Sequence, residues 1–477
     1  MKIKYELPQE RLASYDKKGG RVNMHPAQVH GPLRNRRTFV EAFLVIIFLV
    51  LPLININGHP AVLLDIGHRE FYLFGARFWA HNAPLLFLII ASFFIGLMAV
   101  TAFWGRIWCG WACPQTVFID LVYRKIEEWI EGDSRSRKIL DAAPMSLSKF
   151  SRRSLKWGIF SLVSLFLAHA FLSYFVGWKQ WPSIYSAQFN DYGGTLALLI
   201  ILTLIFLIDF GWFRELFCII ACPYGRWISV WMDKFSLVVD YDYFRGEPRR
   251  GVAQLGEKQG DCVNCYRCVQ VCPTGIDIRR GVQPECIACT ACVEACNDVM
   301  KAFGKKPGLI RYTSHAQLRD EKSRESKFKT VLRARPLLYS SIVVILMATL
   351  VILLSTQPPA QVYVQRTVGP PYLKSQNAKG ALEIVNTFSV ALVNNQNEPV
   401  VAEFKPDSTQ PFVLDANSKD IDLDVAENKR IMMIIKTEQK EGEHLMIPKV
   451  AHLKLELTGK KSLKVKSLDV DVGFVSP

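Results

Sequence analysis

No cysteine follows Cys296, although the 477-residue chain contains twelve cysteines. This absence excludes a disulfide framework for the C-terminal part of the chain. The twelve cysteines fall instead in three places, a distribution typical of metal ligands or redox centres on the reducing side of a membrane.

A secretory cleavage site is also missing. The first long apolar run is preceded by Arg34, Arg36 and Arg37, but it starts late in the chain and lacks the small-residue site at which a signal peptide is cut. The run is therefore predicted to be a retained membrane anchor.

Apolar residues make up 50% of the chain, too many for an ordinary soluble protein of this length. Crossing a hydrocarbon core of about 30 Å takes about 20 mainly apolar residues in a helix. Five stretches meet this requirement and predict transmembrane helices at 39–57, 84–104, 158–177, 193–211 and 336–355.

Basic residues are scarce in two of the intervening segments. Two Lys or Arg lie in 58–83 and one in 178–192, against nine before the first stretch, ten in 105–157 and twenty-one in 212–335. This positive-inside pattern predicts a cytoplasmic N-terminus and a C-terminal part across the membrane, the periplasm of a Gram-negative bacterium. Because topology explains the net charge of +15, no nucleic-acid partner is expected.

Eight cysteines form two runs with the spacing of a bacterial two-cluster ferredoxin, in which the fourth cysteine of each run ligates the other run's cluster. Their order disfavours a zinc site or idle thiols, and small residues such as Gly275, Ala288 and Ala291 leave backbone amides free to approach the sulfurs. Asn297 stands where proline commonly follows the last cysteine, which weakens the turn argument but not the ligand count. The predicted ligands are Cys262, Cys265, Cys268 and Cys296 for one [4Fe–4S] cluster, and Cys286, Cys289, Cys292 and Cys272 for the other.

The other four cysteines form two Cys-x3-Cys-Pro motifs, WCGWACP at 108–114 and FCIIACP at 217–223. Proline is favoured at the first position of a helix, so Cys113 and Cys222 are predicted N-caps, where a thiol is biased toward thiolate. If the intervening residues are helical instead, Cys109 lies one turn from Cys113, and Cys218 one turn from Cys222. Such pairs suit Cu(I), zinc, a further iron–sulfur cluster or dithiol–disulfide cycling, while simple packing among helices is the alternative.

Each motif precedes a helical pattern, at 115–130 and 224–235, that predicts an interfacial amphipathic helix with aromatic and basic residues. The two halves therefore resemble an internal repeat.

Beyond the last membrane stretch, apolar and polar residues alternate. Strands are predicted at 386–393 and 400–404 around a turn at 394–397, and a second hairpin at 452–457 and 463–468. Repeated short strands predict an immunoglobulin-like β-sandwich.

Weaker candidates are histidines and methionines. His169 lies inside a predicted membrane helix, where an ionisable residue is either functional or bonded to a neighbouring helix. Three histidines share an external loop that could bind metal or quinone, His59, His68 and His81. The C-terminal part contains residue types that bind copper, although packing in a core is the more typical role of such methionines: Met432, Met433, His444 and Met446.

In the order of these motifs, the chain resembles the CcoG family of accessory proteins for cbb-type cytochrome oxidases, which is also called FixG or RdxA. Membrane ferredoxins of nitrate and nitrous-oxide respiration share the paired motifs, while the exported immunoglobulin-like tail is typical of CcoG. The resemblance implies assembly of a copper oxidase through reduction of Cu(II) to Cu(I), with electrons from the clusters passing to copper at or near Cys109, Cys113, Cys218 and Cys222. It implies as partners a cytoplasmic electron donor and a copper chaperone or oxidase subunits.

Two other functions stay open: a quinol-linked electron-transfer subunit of a respiratory chain, and a non-enzymatic redox sensor or assembly scaffold. The predicted fold class is a multidomain membrane protein with a helical transmembrane bundle, an α+β two-cluster ferredoxin-like domain and an all-β immunoglobulin-like sandwich. Its predicted parts are a basic cytoplasmic arm (1–38), helices one to four with both motifs (39–235), the ferredoxin domain (236–310), a charged linker (311–335), helix five (336–356) and a periplasmic domain (357–477).

Overall fold

The computed structural model of the chain describes residues 23–56, 59–66, 70–79, 83–186, 189–251, 259–319, 333–356, 358–376, 382–394, 398–407, 410–415, 419–424, 427–439, 449–460 and 464–475. The chain divides into two compact units, residues 1–350 and 351–477.

The first unit is mainly helical. Its helices are α1 (Pro32–Val50), α2 (Ala83–Trp104), α3 (Ile107–Trp111), α4 (Pro114–Phe118), α5 (Arg124–Glu131), α6 (Ser134–Ala142), α7 (Leu147–Val176), α8 (Trp181–Ser186), α9 (Phe189–Phe206), α10 (Pro223–Trp231), α11 (Tyr243–Gly246), α12 (Arg267–Gln270), α13 (Ala291–Ala302) and α14 (His315–Arg319). Helix α15 (Ala334–Ser355) runs across the boundary between the units. Segments of π-helix lie at Ile119–Tyr123, Leu207–Phe213 and Phe217–Ala221.

Four helices in the described part of the chain are long and apolar enough to cross a membrane: Pro84–Trp104, Leu147–Val176, Gly193–Phe213 and Ala334–Ser355. They correspond to four of the five predicted spans. Helix α7 begins at Leu147, before the predicted span. Its first turns carry the basic residues Lys149, Arg152 and Arg153, so they lie outside the apolar stretch on which the prediction was based.

The first predicted span, 39–57, is helical only as far as Val50. Helix α1 begins at Pro32, so it includes three arginines and Glu41 that set it apart from the four apolar helices. Near its end, the Tyr174 hydroxyl of α7 donates to the Phe48 carbonyl at 2.7 Å. Its 19 residues extend about 28 Å, close to the thickness of a hydrocarbon core.

The segment from α4 to α5 buries a stripe of charges. The expected pattern was an interfacial amphipathic helix, but Asp120, Arg124, Glu127 and Glu131 are each at most 6% exposed, whereas Trp129 is 78% exposed. The charges face inward because oppositely charged side chains from other helices meet them. The partners of Glu127 are Arg137, Lys156 and Arg214.

Short strands frame the ferredoxin segment and one loop. Strands β1 (Asn55–Ile56) and β2 (His59–Pro60) pair, and β3 (Val62–Asp65), β4 (Glu70–Leu73) and β5 (Ala76–Trp79) form an antiparallel sheet between α1 and α2. Strands β6 (Val238–Tyr241) and β7 (Ile310–Thr313) pair antiparallel at the two ends of the ferredoxin segment. The ferredoxin fold thus continues beyond residue 310 into the first residues of the predicted linker.

The second unit is an antiparallel β-sandwich. Its strands are β8 (Ala360–Arg366), β9 (Leu373–Gln376), β10 (Leu382–Asn394), β11 (Val400–Pro406), β12 (Phe412–Leu414), β13 (Ile421–Leu423), β14 (Asn428–Gln439), β15 (Val450–Gly459) and β16 (Val465–Gly473). One sheet has the order β12-β14-β10-β8, with β9 also pairing with β10, and the other has the order β13-β11-β15-β16. Alternate apolar residues of both sheets form one core.

One of the two predicted hairpins is confirmed. Strands β15 and β16 pair with Thr458 opposite Val465. The first predicted hairpin is wrong, because β10 and β11 belong to different sheets. Between them the buried Asn394 side chain donates to the carbonyls of Glu398 and Asp424 at 2.9 and 3.0 Å, which holds the crossing between sheets.

Candidate metal centres

The ferredoxin segment contains two small cavities lined by its cysteines. One is lined by Cys262, Cys265, Cys268 and Cys296. The other is lined by Cys272, Cys286, Cys289 and Cys292, and Cys268 lines it as well. Soft thiols around each cavity fit a [4Fe–4S] cluster, which supplies single electrons when bound.

The two cysteine loops share an unusual backbone. Asn264 and Tyr266 flank Cys265 with φ of 59° and 56°, and Ala288 and Thr290 flank Cys289 with φ of 55° and 64°. Left-handed conformations cost non-glycine residues about 1–3 kcal/mol each and concentrate at functional sites. The same left-handed conformation thus recurs on both sides of Cys265 and of Cys289.

A buried cation braces the first loop. The Arg279 guanidinium lies 4.0 Å from the centre of the Tyr266 ring and donates to Asn264 Oδ1 at 2.7 Å, so it holds both left-handed residues. Burial raises the pKa of Cys268 to about 12, and the Arg279 charge opposes that shift. Neutral buried thiols must release their protons when iron binds.

The four remaining cysteines come together from the two halves of the helical unit. Cys109 lies in α3, and Cys218 lies in the π-helical segment Phe217–Ala221. Cys113 and Cys222 are the N-caps of α4 and α10, each followed by proline, as predicted. Two motifs more than a hundred residues apart in the chain therefore form one four-cysteine site (Cys109, Cys113, Cys218 and Cys222).

Every pair among the four thiols interacts electrostatically. Burial raises the pKa of Cys109 to about 12, and Cys113 raises it further. Burial also raises the pKa of Cys113, while the backbone N–H groups of Gln115 and Thr116 oppose the shift. At the Cys113 N-cap, the expected bias toward thiolate is thus outweighed by burial when the thiol is free.

The four-cysteine site touches the second ferredoxin loop directly. A Cβ atom on Gly110 would overlap the carbonyl oxygen of Ile287 and lie 2.9 Å from the carbonyl carbon of Ala288, so the two backbones are in contact. Cys109 and Cys289 share an apolar cluster with Ile287. These contacts place the backbones that carry the two thiol sets directly against each other.

Side chains on either side of Gly110 fix this contact. Trp111 Nε1 donates to the Tyr312 hydroxyl at 3.3 Å, and that hydroxyl donates to the Ala288 carbonyl at 2.9 Å. Arg37 Nε donates to the Gly110 carbonyl at 2.6 Å and also pairs with Asp120 at 2.6 Å. Helix α1 thereby positions the first motif against the ferredoxin.

Sequence reasoning treated Arg37 only as a membrane-flanking charge. The signal that could have revealed its role is Glu41, one turn later in an apolar stretch, with which Arg37 pairs at 2.9 Å while both are almost fully buried. The sequence contains no comparable signal for the role of Arg279, because its stacking on Tyr266 exists only in the folded loop.

His169 contacts groups in its own helix, α7, and in the neighbouring α8. Its Nδ1 lies 2.9 Å from the Leu165 carbonyl, its Nε2 contacts the Tyr185 hydroxyl, and its ring lies 4.6 Å from the Trp181 ring. These contacts fit a histidine bonded to a neighbouring helix, one of the two expected readings.

The other weak candidates do not converge on a site that the structure shows. Met433 is fully buried in the sandwich core, whereas Met432 is 57% exposed. The backbone of His59 lies in β2. The other candidates, His68, His81, His444 and Met446, lie outside the described residues.

The fold and its cysteine sites define a membrane-bound ferredoxin with an immunoglobulin-like C-terminal domain. Residues 213–315 match a family described as a 4Fe-4S dicluster domain, residues 86–135 a 4Fe-4S binding domain, and residues 350–477 the IG-like fold at the C-terminal of FixG, putative oxidoreductase. The chain belongs to the FixG/RdxA/CcoG family of membrane ferredoxins.

Three relatives carry that assignment. Protein RdxB and protein RdxA of Cereibacter sphaeroides are 34% and 31% identical to the chain, each over 79% of it, and the matches cover 80% and 81% of the relatives. Nitrogen fixation protein FixG of Rhizobium meliloti is 36% identical over 62% of this chain and 57% of its own. The family resemblance and the predicted fold class are confirmed.

Proposed function

We propose that this protein transfers single electrons from its ferredoxin clusters to Cu(II), and so supplies Cu(I) for assembly of a cbb-type cytochrome c oxidase. The observation that carries the proposal is the backbone contact of Gly110 with Ile287 and Ala288, which joins the four-cysteine site to the second cluster loop. An electron leaving that loop meets soft thiols next.

The four-cysteine site suits the copper step chemically. Thiol ligands favour Cu(I) over Cu(II), so they stabilise the product of a one-electron reduction. Cys109 is buried, while Cys113, Cys218 and Cys222 are partly exposed, which lets an ion approach from one side. Each turnover takes one electron from the ferredoxin and converts one Cu(II) to one Cu(I).

The proposed location is the bacterial inner membrane. The charge asymmetry along the chain supports a cytoplasmic N-terminus and ferredoxin, where a soluble donor supplies electrons, and a periplasmic C-terminal domain. That domain would dock a copper chaperone or an oxidase subunit.

The test uses full-length protein, reduced with dithionite, desalted without oxygen and mixed with Cu(II) and a Cu(I)-specific chelator. The variant Cys109→Ser/Cys113→Ser is expected to reduce Cu(II) at least about tenfold more slowly, because the soft ligands are lost. Met432→Leu is the control, because Met432 is an exposed copper-type ligand outside the site. An unchanged rate in the cysteine variant, or a lost rate in the methionine variant, would refute the assigned site.

A second candidate function is quinol-linked electron transfer. A cleft of about 190 Å³ is lined in part by Cys286 and mainly by apolar side chains, including Met232, Val239 and Pro284, together with Arg106. It lies between the end of α2 and α10, where a lipophilic carrier could reach the second cluster. Cluster reduction by a short-chain quinol that Val282→Phe abolishes would support this function over copper reduction.

A further inference from the structure

We infer that the surface around Cys265 is the docking face for an acidic, soluble one-electron carrier protein. The inference rests on the proposed function, in which a soluble donor supplies electrons, and it identifies the surface and the chemistry of that donor. The carrier loses one electron and this chain gains it, so no covalent bond forms or breaks and no proton moves. We call the surface the donor face and define it by six residues: Arg250, Cys265, Tyr266, Arg267, Arg280 and Lys306.

Exposure distinguishes the two ferredoxin sites. All twelve cysteines lie in the described ranges, and among them only Cys265 is exposed. The second loop is covered instead, because Gly110 lies against Ile287 and Ala288. Cys268 lines both cavities, so the two sites are neighbours. The first site is thus open to an external protein, while the second faces the four-cysteine site.

Cations lie close to the first cluster loop. The backbone N–H of Arg250 donates to the Cys262 carbonyl at 3.0 Å. The Arg279 guanidinium lies 4.0 Å from the centre of the Tyr266 ring. Arg267 lines the same cavity as the first group of cysteines. Contacts with the loop itself therefore hold three arginines beside it.

Carboxylates beside the loop are already matched by other cations. Asp261 pairs with Arg245 at 2.6 Å and with Lys305 at 3.5 Å. Asp277 pairs with Arg279 at 2.7 Å. Within the described part of the chain, no ion pair is formed by the four cations of the donor face, Arg250, Arg267, Arg280 and Lys306. The donor face therefore has an excess of positive charge, which attracts and orients a partner rich in Asp and Glu.

Exposed aromatic rings accompany these cations. Tyr266, next to Cys265, is 51% exposed, and Phe244, next to Arg245, is 59% exposed. Aromatic side chains within a polar rim are typical of protein interfaces. Complexes between redox proteins use small interfaces, often below about 1,200 Å². A few rings among cations fit such a complex, which must separate after each electron.

An anionic membrane surface is the other class of partner that clustered cations attract. A lipid bilayer supplies no electron, and contact with it would cover Cys265, the one exposed cysteine in the described ranges. The exposure of this cysteine at the centre of the cations therefore favours a protein carrier over lipid.

The first experiment uses the unaltered, full-length protein in phosphatidylcholine nanodiscs, with oxidised flavodoxin as the acidic carrier. A carbodiimide joins carboxylates of flavodoxin to adjacent lysines, which mass spectrometry identifies. We expect cross-links at Lys305 and Lys306 that disappear at about 0.5 M salt, because salt screens the attraction. Lys138, an exposed residue of α6, should not react.

Two results of this experiment would overturn the inference. One is cross-linking at Lys138 without cross-linking at Lys305 or Lys306, or no cross-linking at all at low salt. The other is shielding of Lys305 and Lys306 from acetylation by phosphatidylglycerol nanodiscs in the absence of flavodoxin, which would assign the surface to the membrane.

The second experiment measures the rate of reduction by stopped-flow absorbance in full-length protein reconstituted with iron and sulfide. In Arg250→Glu/Arg280→Glu, reduction by flavodoxin hydroquinone should be at least about tenfold slower at low salt. Reduction by the cationic methyl viologen radical should be faster than in the unaltered protein, because the repelling charge is reversed. A damaged cluster site would slow both reductants.

Arg135→Glu/Lys138→Glu is the matched control, because it makes the same change of charge at exposed residues of α6. Its rate with flavodoxin should stay within about twofold of the unaltered rate, since a distant charge is largely screened. Equal slowing of the two double variants would overturn the inference, because overall charge and not the donor face would then control the rate.

Cu(II) reduction by the unaltered protein after treatment with dithionite needs no carrier, so it tests the proposed function separately. If that reduction fails while flavodoxin reacts as expected, the donor face stands and the copper function fails. If copper is reduced but Arg250→Glu/Arg280→Glu reacts with flavodoxin at the unaltered rate, the copper function stands and the donor face fails.

Discussion

At the scale of single residues, Gly110 joins the two thiol sets. Gly110→Ala should push the second cluster loop away, since its Cβ has no room beside Ile287 and Ala288. We expect slower Cu(II) reduction with the ferredoxin clusters intact, and a loss of about 1–3 kcal/mol in stability from overpacking. The measurements are Cu(I) formation and thermal unfolding.

Gly96→Ala is the matched control, because a Cβ at Gly96 meets nothing within 4 Å. Equal Cu(II) reduction by the Gly110 and Gly96 variants would show that electrons do not pass through this contact.

Arg279 should set the potential of the first cluster. Removing its buried charge in Arg279→Gln withdraws stabilisation from the reduced, more negative state, so the reduction potential should fall. A change of about 1–2 kcal/mol corresponds to on the order of 50–80 mV for one electron. A redox titration followed by electron paramagnetic resonance checks the value.

Arg279→Lys keeps the charge but loses the stacking on Tyr266, so its potential should stay near that of the unaltered protein. A fall as large as that of Arg279→Gln would assign the effect to loop geometry instead of charge.

Residue-scale prediction from the sequence succeeded where spacing itself is the signal. Cysteine spacing predicted the grouping of the eight ferredoxin cysteines, and the prolines of the two motifs predicted Cys113 and Cys222 as N-caps. The family resemblance named the cysteines of both motifs together, but spacing alone did not show that the motifs meet, because their contact depends on how the helices of the two halves pack. For the same reason Arg37 escaped notice as a positioning residue.

At the scale of elements, the buried charges of α5 hold α5, α6 and α7 together. Burial alone would raise the pKa of Glu127, but Arg214, Lys156 and Arg137 outweigh it and hold the pKa well below its usual range. Glu127→Gln leaves Arg137 and Arg214 without their counter-charge, while Lys156 keeps Glu131 at 2.9 Å, and the change should cost about 3–5 kcal/mol. The adjacent Glu128 pairs with the exposed Lys125, so Glu128→Gln should cost at most about 1 kcal/mol.

The same pKa shift predicts the effect of acid. The folded pKa of Glu127 is depressed, so its contribution to stability is complete above its ordinary pKa of 4.5 and is lost as pH falls below that value. The melting temperature of the unaltered protein should therefore drop more steeply below about pH 5 than that of Glu127→Gln. Parallel pH profiles would contradict the assigned role of this carboxylate.

Element-scale prediction was strongest for long apolar helices and for alternating strands. It failed for the pairing of β10 with β11, because alternation specifies which face of a strand is buried but not which strand lies beside it. It also gave no hint that the charges of α5 face inward. A periodic pattern locates two faces of a helix, and only partners from other helices decide that the charged face is buried.

At the scale of the whole molecule, helix α1 decides the topology. Composition identifies four spans among the described residues, while the position of α1 beside α7 supports a fifth. With the proposed cytoplasmic N-terminus, we expect five crossings that leave residues 75 and 477 in the periplasm and residue 145 in the cytoplasm.

Fusions of alkaline phosphatase and of a fluorescent protein at these three points test this arrangement. Alkaline phosphatase should be active after residues 75 and 477, and the fluorescent protein after residue 145. Fluorescence from the fusion at residue 75 would show that α1 does not cross the membrane.

The split origin of the four-cysteine site has a consequence for biogenesis. Synthesis proceeds from the N-terminus, so Cys222 emerges before Cys262, the first ferredoxin cysteine. All four thiols thus exist in the nascent membrane bundle before the Ile287–Ala288 loop is made to cover Gly110. Under the proposed function, metal would enter this site while it is still open, and the later docking of the ferredoxin would both cover it and connect it to the proposed source of electrons.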